Sequence, residues 1–79
     1  MAKHHEYIDR ANRFIGNRIY MVRLEQKLSR NNLAASIGVT HQQLHKYEKG
    51  INRISIGRLM LIAKALNKNV DFFYDGADI

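Results

Sequence analysis

Between Arg30 and Lys49 the chain reads RNNLAASIGVTHQQLHKYEK, two apolar stripes of helical period with only a short break between them. Leu33, Ala34 and Ile37 share one helical face, and Leu44 and Tyr47, three apart, share a face of the next segment. Ahead of this stretch, Ile15, Ile19 and Val22 are spaced four and three apart and predict a first helix from about Arg13 to Gln26. Behind it, Ile56, Leu59, Ile62, Ala63 and Leu66 form the broadest apolar stripe in the chain and predict a fourth helix. A short fifth helix is expected over Val70–Tyr74, closed by Gly76. The pattern therefore predicts an all-α domain of five helices. Residues 1–12, MAKHHEYIDRAN, mix charges without a clean period, so an arm, frayed or partly helical, is expected ahead of a domain over 13–76 and a tail over 77–79.

The break between the second and third helices is too tight for an ordinary loop. Gly38 accepts the positive φ that a sharp turn between packed helices requires, without the clash of a Cβ. Ala34, one turn earlier, is small enough to let two backbones approach. Thr40 stands where an N-cap belongs, which starts the third helix at His41, and Gly50 ends it near Lys49. Ser29 likewise places Arg30 at the first position of the second helix, and Ser55 and Asn69 are the expected caps of the fourth and fifth. Together these residues describe a helix-turn-helix.

The ordered set Ala34, Gly38, Val39, Leu44 and Tyr47-Glu48-x-Gly50 resembles the Cro- and phage-repressor-like (XRE) helix-turn-helix family. The resemblance runs from about Ile15 through Arg18, Arg23 and LSRNNLA to Ala63-Lys64-Ala65-Leu66 and Val70-Asp71-Phe72, most of the chain. It implies a lambda-repressor-like domain that binds duplex DNA, with the third helix in the major groove. On that resemblance His41, Gln42 and Lys46 read bases, and their chemistry suits the task. Gln can bond adenine N6 and N7, Lys can reach guanine O6 and N7, and His can donate to a purine N7 or a phosphate. Gln43, nearer the flank, serves an adjacent base or a phosphate. His45 stands between two roles, a DNA phosphate contact and a half-exposed partner for the fourth-helix region.

Phosphate contacts are expected from Arg30, whose helix N-terminus already favours an anion, and from Lys49, Asn52 and Arg53 around the loop after the third helix. The resemblance also pairs Arg23 with Glu48, tying the first helix to the end of the third, and implies that the Arg23 guanidinium contacts a DNA backbone phosphate. The chain departs from the family at Lys27, where many members end the first helix with glycine; either the helix ends differently or Lys27 turns left-handed. It departs again at Tyr20, Met21 and Leu24, which stand at usually polar positions and would pack under the arm or form a contact patch. The proline usual before Ser55 is also absent. Phe72, Phe73 and Tyr74 cannot all face one core from a short helix, so a homodimer through Ile54, Val70, Phe72, Phe73 and Tyr74 is expected, as relatives of this fold use this region.

Composition narrows the alternatives. With 79 residues there is room for one small core, and with no cysteine there is neither a disulfide nor a cysteine-ligated zinc, which suits a cytoplasmic protein. No apolar run is long enough to span a membrane, nor does the N-terminus resemble a signal peptide. Formal charge is +6, and from Arg23 to Lys68 there are nine Lys and Arg against only Glu25 and Glu48, whereas Asp71, Asp75 and Asp78 close the chain. A basic middle and an acidic end suit a polyanion-binding face with one end turned away from it. His41 and His45 have zinc-ligand spacing, but no HExxH or nearby acid completes a set, so no metal or cofactor is expected. Nothing in the chain assembles a nucleophile, a phosphate loop or a carboxylate pair, so no enzyme is expected. The reading is a transcriptional regulator, more often a repressor, controlled by its own concentration, a partner or a protein antagonist; an antitoxin-like regulator is compatible. The alternatives are a protein-interaction module built on Tyr20, Met21, Leu24 and the C-terminal aromatics, and, less favoured by where those aromatics lie, RNA binding.

Overall fold

The computed structural model describes residues 2–78, and among them four α-helices, α1 (Ala2–Glu25), α2 (Arg30–Ile37), α3 (His41–Lys49) and α4 (Ile56–Ala65), precede a 3-10 turn at Val70–Phe73. The helices begin as the caps predict. The hydroxyls of Ser29, Thr40 and Ser55 accept from the amides of Asn32, Gln43 and Arg58 at 3.0, 3.0 and 3.1 Å. Asn69 is the exception: it is extended at the cap position, but its side chain makes no cap hydrogen bond. The expected fifth α-helix is accordingly one 3-10 turn, held by the Phe72 amide on the Asn69 carbonyl at 3.1 Å and the Tyr74 amide on the Asp71 carbonyl at 3.2 Å. So few residues before Gly76, at φ 85°, leave no room for a longer ladder.

All four α-helices end in the same hydrogen-bond pattern. After α2 the amide of Val39 reaches back to the Ala34 carbonyl at 3.0 Å around Gly38 at φ 72°, and after α3 that of Ile51 reaches Lys46 at 2.9 Å around Gly50 at φ 75°. Leu28 to Arg23 (3.0 Å) and Lys68 to Ala63 (2.9 Å) repeat the geometry around Lys27 at φ 56° and Asn67 at φ 59°. Lys27 therefore takes the left-handed conformation, in place of the family glycine.

The core joins Ile19 and Val22 of α1, Leu33, Ala34 and Ile37 of α2, Leu44 and Tyr47 of α3, and Leu59, Ile62 and Ala63 of α4, with Leu66 and Phe73. Ile15, Ile54, Val70 and Phe72 pack around it, half-buried. Ile56 does not join: although it falls on the expected inner stripe, it is 70% exposed, because it stands in the first turn of α4 before the helix reaches its neighbours.

The first helix is longer than its apolar stripe. No Pro or Gly interrupts residues 2–15, and once the packed part of α1 exists each further residue adds a hydrogen bond without a new nucleus. Within this extension Asn12 Nδ2 donates to the Ile8 carbonyl at 2.8 Å and Arg10 lies over the Tyr7 ring at 5.1 Å. A straight helix cannot fold back on itself, so Tyr20, Met21 and Leu24 are not covered by the N-terminal residues and remain exposed.

Two close approaches bring α1 against α3. A Cβ at Gly16 would stand 2.2 Å from the Tyr47 carbonyl oxygen, and one at Gly50 would stand 2.7 Å from the Arg13 Cα. Only glycine permits the first crossing, which lays α1 directly behind the C-terminal half of α3.

Candidate nucleic-acid interface

The third helix presents one polar face. Leu44, Tyr47 and Glu48 are buried on its inner side, while His41, Gln42, Lys46 and Lys49 are exposed and Gln43 and His45 half-exposed. The mechanism is periodicity: with the inner positions three and four apart, the first two residues of the helix and Lys46 are left facing outward. Gln43 is partly engaged, since its Oε1 accepts from Asn52 Nδ2 at 3.3 Å and so braces the loop after α3. Arg53, at the crest of that loop, is exposed.

Behind this face is a buried carboxylate. Arg23 Nε donates to Glu48 Oε2 at 2.6 Å and Arg23 Nη2 to Glu48 Oε1 at 3.2 Å, the two-pronged geometry that a guanidinium offers a carboxylate. The third Arg23 nitrogen donates to the Leu28 carbonyl at 3.0 Å. With 6% of its surface exposed and every nitrogen engaged, Arg23 is corrected from a phosphate contact to an anchor that fixes α3 against α1. Arg30 joins the same carboxylate through Nε, at 2.9 Å, and keeps a quarter of its side chain exposed. Arg30 itself opens α2, whose N-terminus favours an anion.

Further contacts stiffen this frame, and the residue pattern alone does not predict them. Arg58 donates through Nη1 to the Ile37 carbonyl at 2.6 Å and so satisfies the end of α2 from α4. Gln26 Nε2 does the same for Leu66 at 2.7 Å. Arg18 Nη1 donates to the Phe72 carbonyl at 2.9 Å and lies between the Phe14 and Phe72 rings, at 4.6 and 5.2 Å from their centroids. Gly16 left one signal in the sequence, since a glycine inside a helical stripe costs stability unless something passes close by.

The expected dimer residues divide. Phe73 has no exposed surface and meets Phe72 edge-on at 5.3 Å, so it is corrected from an interface residue to a core residue. Tyr74 is 45% exposed, and Ile54, Val70 and Phe72 are half-buried.

Capped α2, a turn through left-handed Gly38 and a polar α3 braced from behind make this a helix-turn-helix protein. A helix-turn-helix family model matches residues 19–73, and the chain belongs to that family, in its Cro- and phage-repressor-like branch. It is 54% identical over 78 residues to uncharacterized HTH-type transcriptional regulators of Rickettsia conorii and Rickettsia prowazekii, over 99% of this chain and 62% and 60% of theirs. It is 47% identical over 60 residues, 76% of this chain and 56% of the other, to an uncharacterized transcriptional regulator in the ATPase CF(0) region of Rhodospirillum rubrum. The chain thus spans about three fifths of the length of its Rickettsia relatives. Its fold is similar to that of the restriction-modification controller protein C.AhdI from Aeromonas hydrophila, with a TM-score of 0.75 at 22% identity over 78% of this chain and 94% of that one. Among the described residues no helix is long and apolar enough to cross a membrane.

Proposed function

We propose that this chain is the DNA-binding part, or the whole, of a transcriptional regulator that reads duplex DNA by sequence through α3. The observation that carries the reading is the exposed row His41, Gln42 and Lys46 on a helix whose back is clamped by the Arg23–Glu48–Arg30 ion pairs. A base reader must hold its donors and acceptors in register with the groove, and a helix fixed on two sides does so at little entropic cost on binding. Gln42 and Lys46 carry base recognition, with His41 at the groove edge. Arg30, Lys49 and Arg53 meet phosphates on either side and set the register. Two copies related by a two-fold axis would meet half-sites about one helical turn apart, and occupancy of promoter DNA would repress.

Selection from a random duplex library at near-physiological salt tests this reading, because sequence preference is a property that a basic surface alone does not confer. An enriched palindrome is the expected result. A second reading, a protein-binding module, is favoured by Met21 and Leu24, each 48% exposed on α1. Binding without enrichment, lost as salt rises, would move the assignment to it.

A further inference from the structure

A cleft of about 330 Å³ opens between α1 and the C-terminal half of α3, lined by Asn17, Tyr20, Arg30, His45, Glu48 and Lys49. Glu48 is the one acid on its walls and is already held by Arg23 and Arg30, so those three carry one excess positive charge before Lys49 is counted. Arg30 has given its Nε to the carboxylate, and its terminal N–H groups remain to donate. The ammonium of Lys49, the phenol of Tyr20, the carboxamide of Asn17 and the imidazole of His45 are all able to donate as well. Donors from three helices around a hollow of net positive charge favour an oxyanion and repel a cation.

The position of the cleft identifies the anion. A second hollow, lined by Arg30, His41, Gln42, His45 and Lys46, lies on the recognition face and shares Arg30 and His45 with the first. A polyanion lying along α3 would thus pass from one hollow into the other. Arg13, exposed and one turn before Asn17, continues the positive charge along α1. The crossing at Gly16 is what brings Asn17 and Tyr20 level with Lys49; a wider crossing would leave them out of reach.

We infer that this cleft holds a phosphoryl oxyanion of the DNA backbone, so that Asn17 and Tyr20 extend the DNA footprint from α2 and α3 onto α1. The inference rests on the DNA-binding reading and adds to it a phosphate site on α1.

The test uses the full chain and a selected duplex. Tyr20→Phe removes one hydroxyl and Asn17→Ala one carboxamide, and both positions are exposed, so thermal unfolding serves to check that the fold is kept. Each variant should weaken binding by about threefold to tenfold, equally on the selected and on a random duplex, because a phosphate contact carries no sequence information. In parallel, DNA-free protein is titrated with inorganic phosphate while the side-chain amide resonance of Asn17 is followed. Variants that bind both duplexes as wild type does, alongside a saturable phosphate shift, would overturn the backbone as the source and leave a small free anion. Unchanged DNA binding with no phosphate shift would overturn the site itself. Gln42→Ala on the same duplexes separates this from the parent reading: if wild type binds no duplex, the regulator assignment fails first, whereas loss of preference in Gln42→Ala beside an unaffected Tyr20→Phe rejects the cleft alone.

Discussion

The side chains of Arg23 and Glu48 are 7% and 3% exposed, so neither can return to water without moving a helix. Removing one partner leaves the other charged and buried, and that penalty exceeds what the intact pair contributes. Glu48→Ala strands both Arg23 and Arg30, and should lower stability by about 3–5 kcal/mol in urea unfolding. A loss below about 1 kcal/mol would mean that both arginines find water, as surface pairs do. Gly16 sets two effects against each other. Replacing a mid-helix glycine by alanine ordinarily gains about 1 kcal/mol, but here the new Cβ would stand 2.2 Å from a backbone oxygen. The overlap wins, since α1 or α3 must shift. Gly16→Ala should destabilise by about 1–3 kcal/mol, and a stabilised variant would show that the two helices part easily.

At the scale of elements, each α-helix ends in a left-handed residue, but only α2 and α3 use glycine there. Lys27 and Asn67 adopt that conformation against the preference of a residue with a Cβ. Lys27→Gly should therefore raise the unfolding free energy by about 0.5–1 kcal/mol, somewhat offset by the extra freedom of glycine in the unfolded chain. A destabilised Lys27→Gly would mean that the lysine stem packs usefully. The recognition helix divides by function rather than by stability. On a selected site Gln42→Ala or Lys46→Ala should each cost about 1–3 kcal/mol of binding and little on random DNA. Lys49→Ala or Arg53→Ala should weaken both alike and reduce the slope of affinity against salt by about one unit. Equal losses across all four variants would reduce α3 to a phosphate clamp.

The whole molecule measures 38 × 24 × 20 Å, with the basic helices flanked by an acidic C-terminal end. Tyr74 is exposed and Ile54, Val70 and Phe72 are half-buried, and a two-fold dimer through these residues would present two copies of α3 to two half-sites. Sedimentation should find a dimer in concentrated solution or on DNA, and Tyr74→Asp should shift it toward monomer without unfolding it. A wild-type chain that stays monomeric in both conditions would exclude this arrangement. Phe73→Ala is a poor test of the dimer, because it would open a cavity in the core and unfold the monomer first.

Residues that are neighbours along the chain encode most of the local structure. The caps Ser29, Thr40 and Ser55, the left-handed turn at Gly38, the inner and outer faces of α2 and α3 and the basic middle all follow from local spacing and side-chain chemistry, and all are legible without a structure. The Arg23–Glu48 pair is legible too, though only through family resemblance, since the two residues are far apart in sequence. Which groups meet across helices depends on how the helices pack. Local pattern carries no information on how closely α1 approaches α3, so neither the strict need for glycine at Gly16 nor the cleft at Asn17 and Tyr20 could be read from it. Nor could pattern tell Arg58, which satisfies the end of α2, from Lys64, which is exposed, because both fall on the polar side of the same helix. Phe73 differs from Tyr74 for the same reason: the direction in which a 3-10 turn docks is set by the packed helices beneath it, and that packing exists only once the chain has folded.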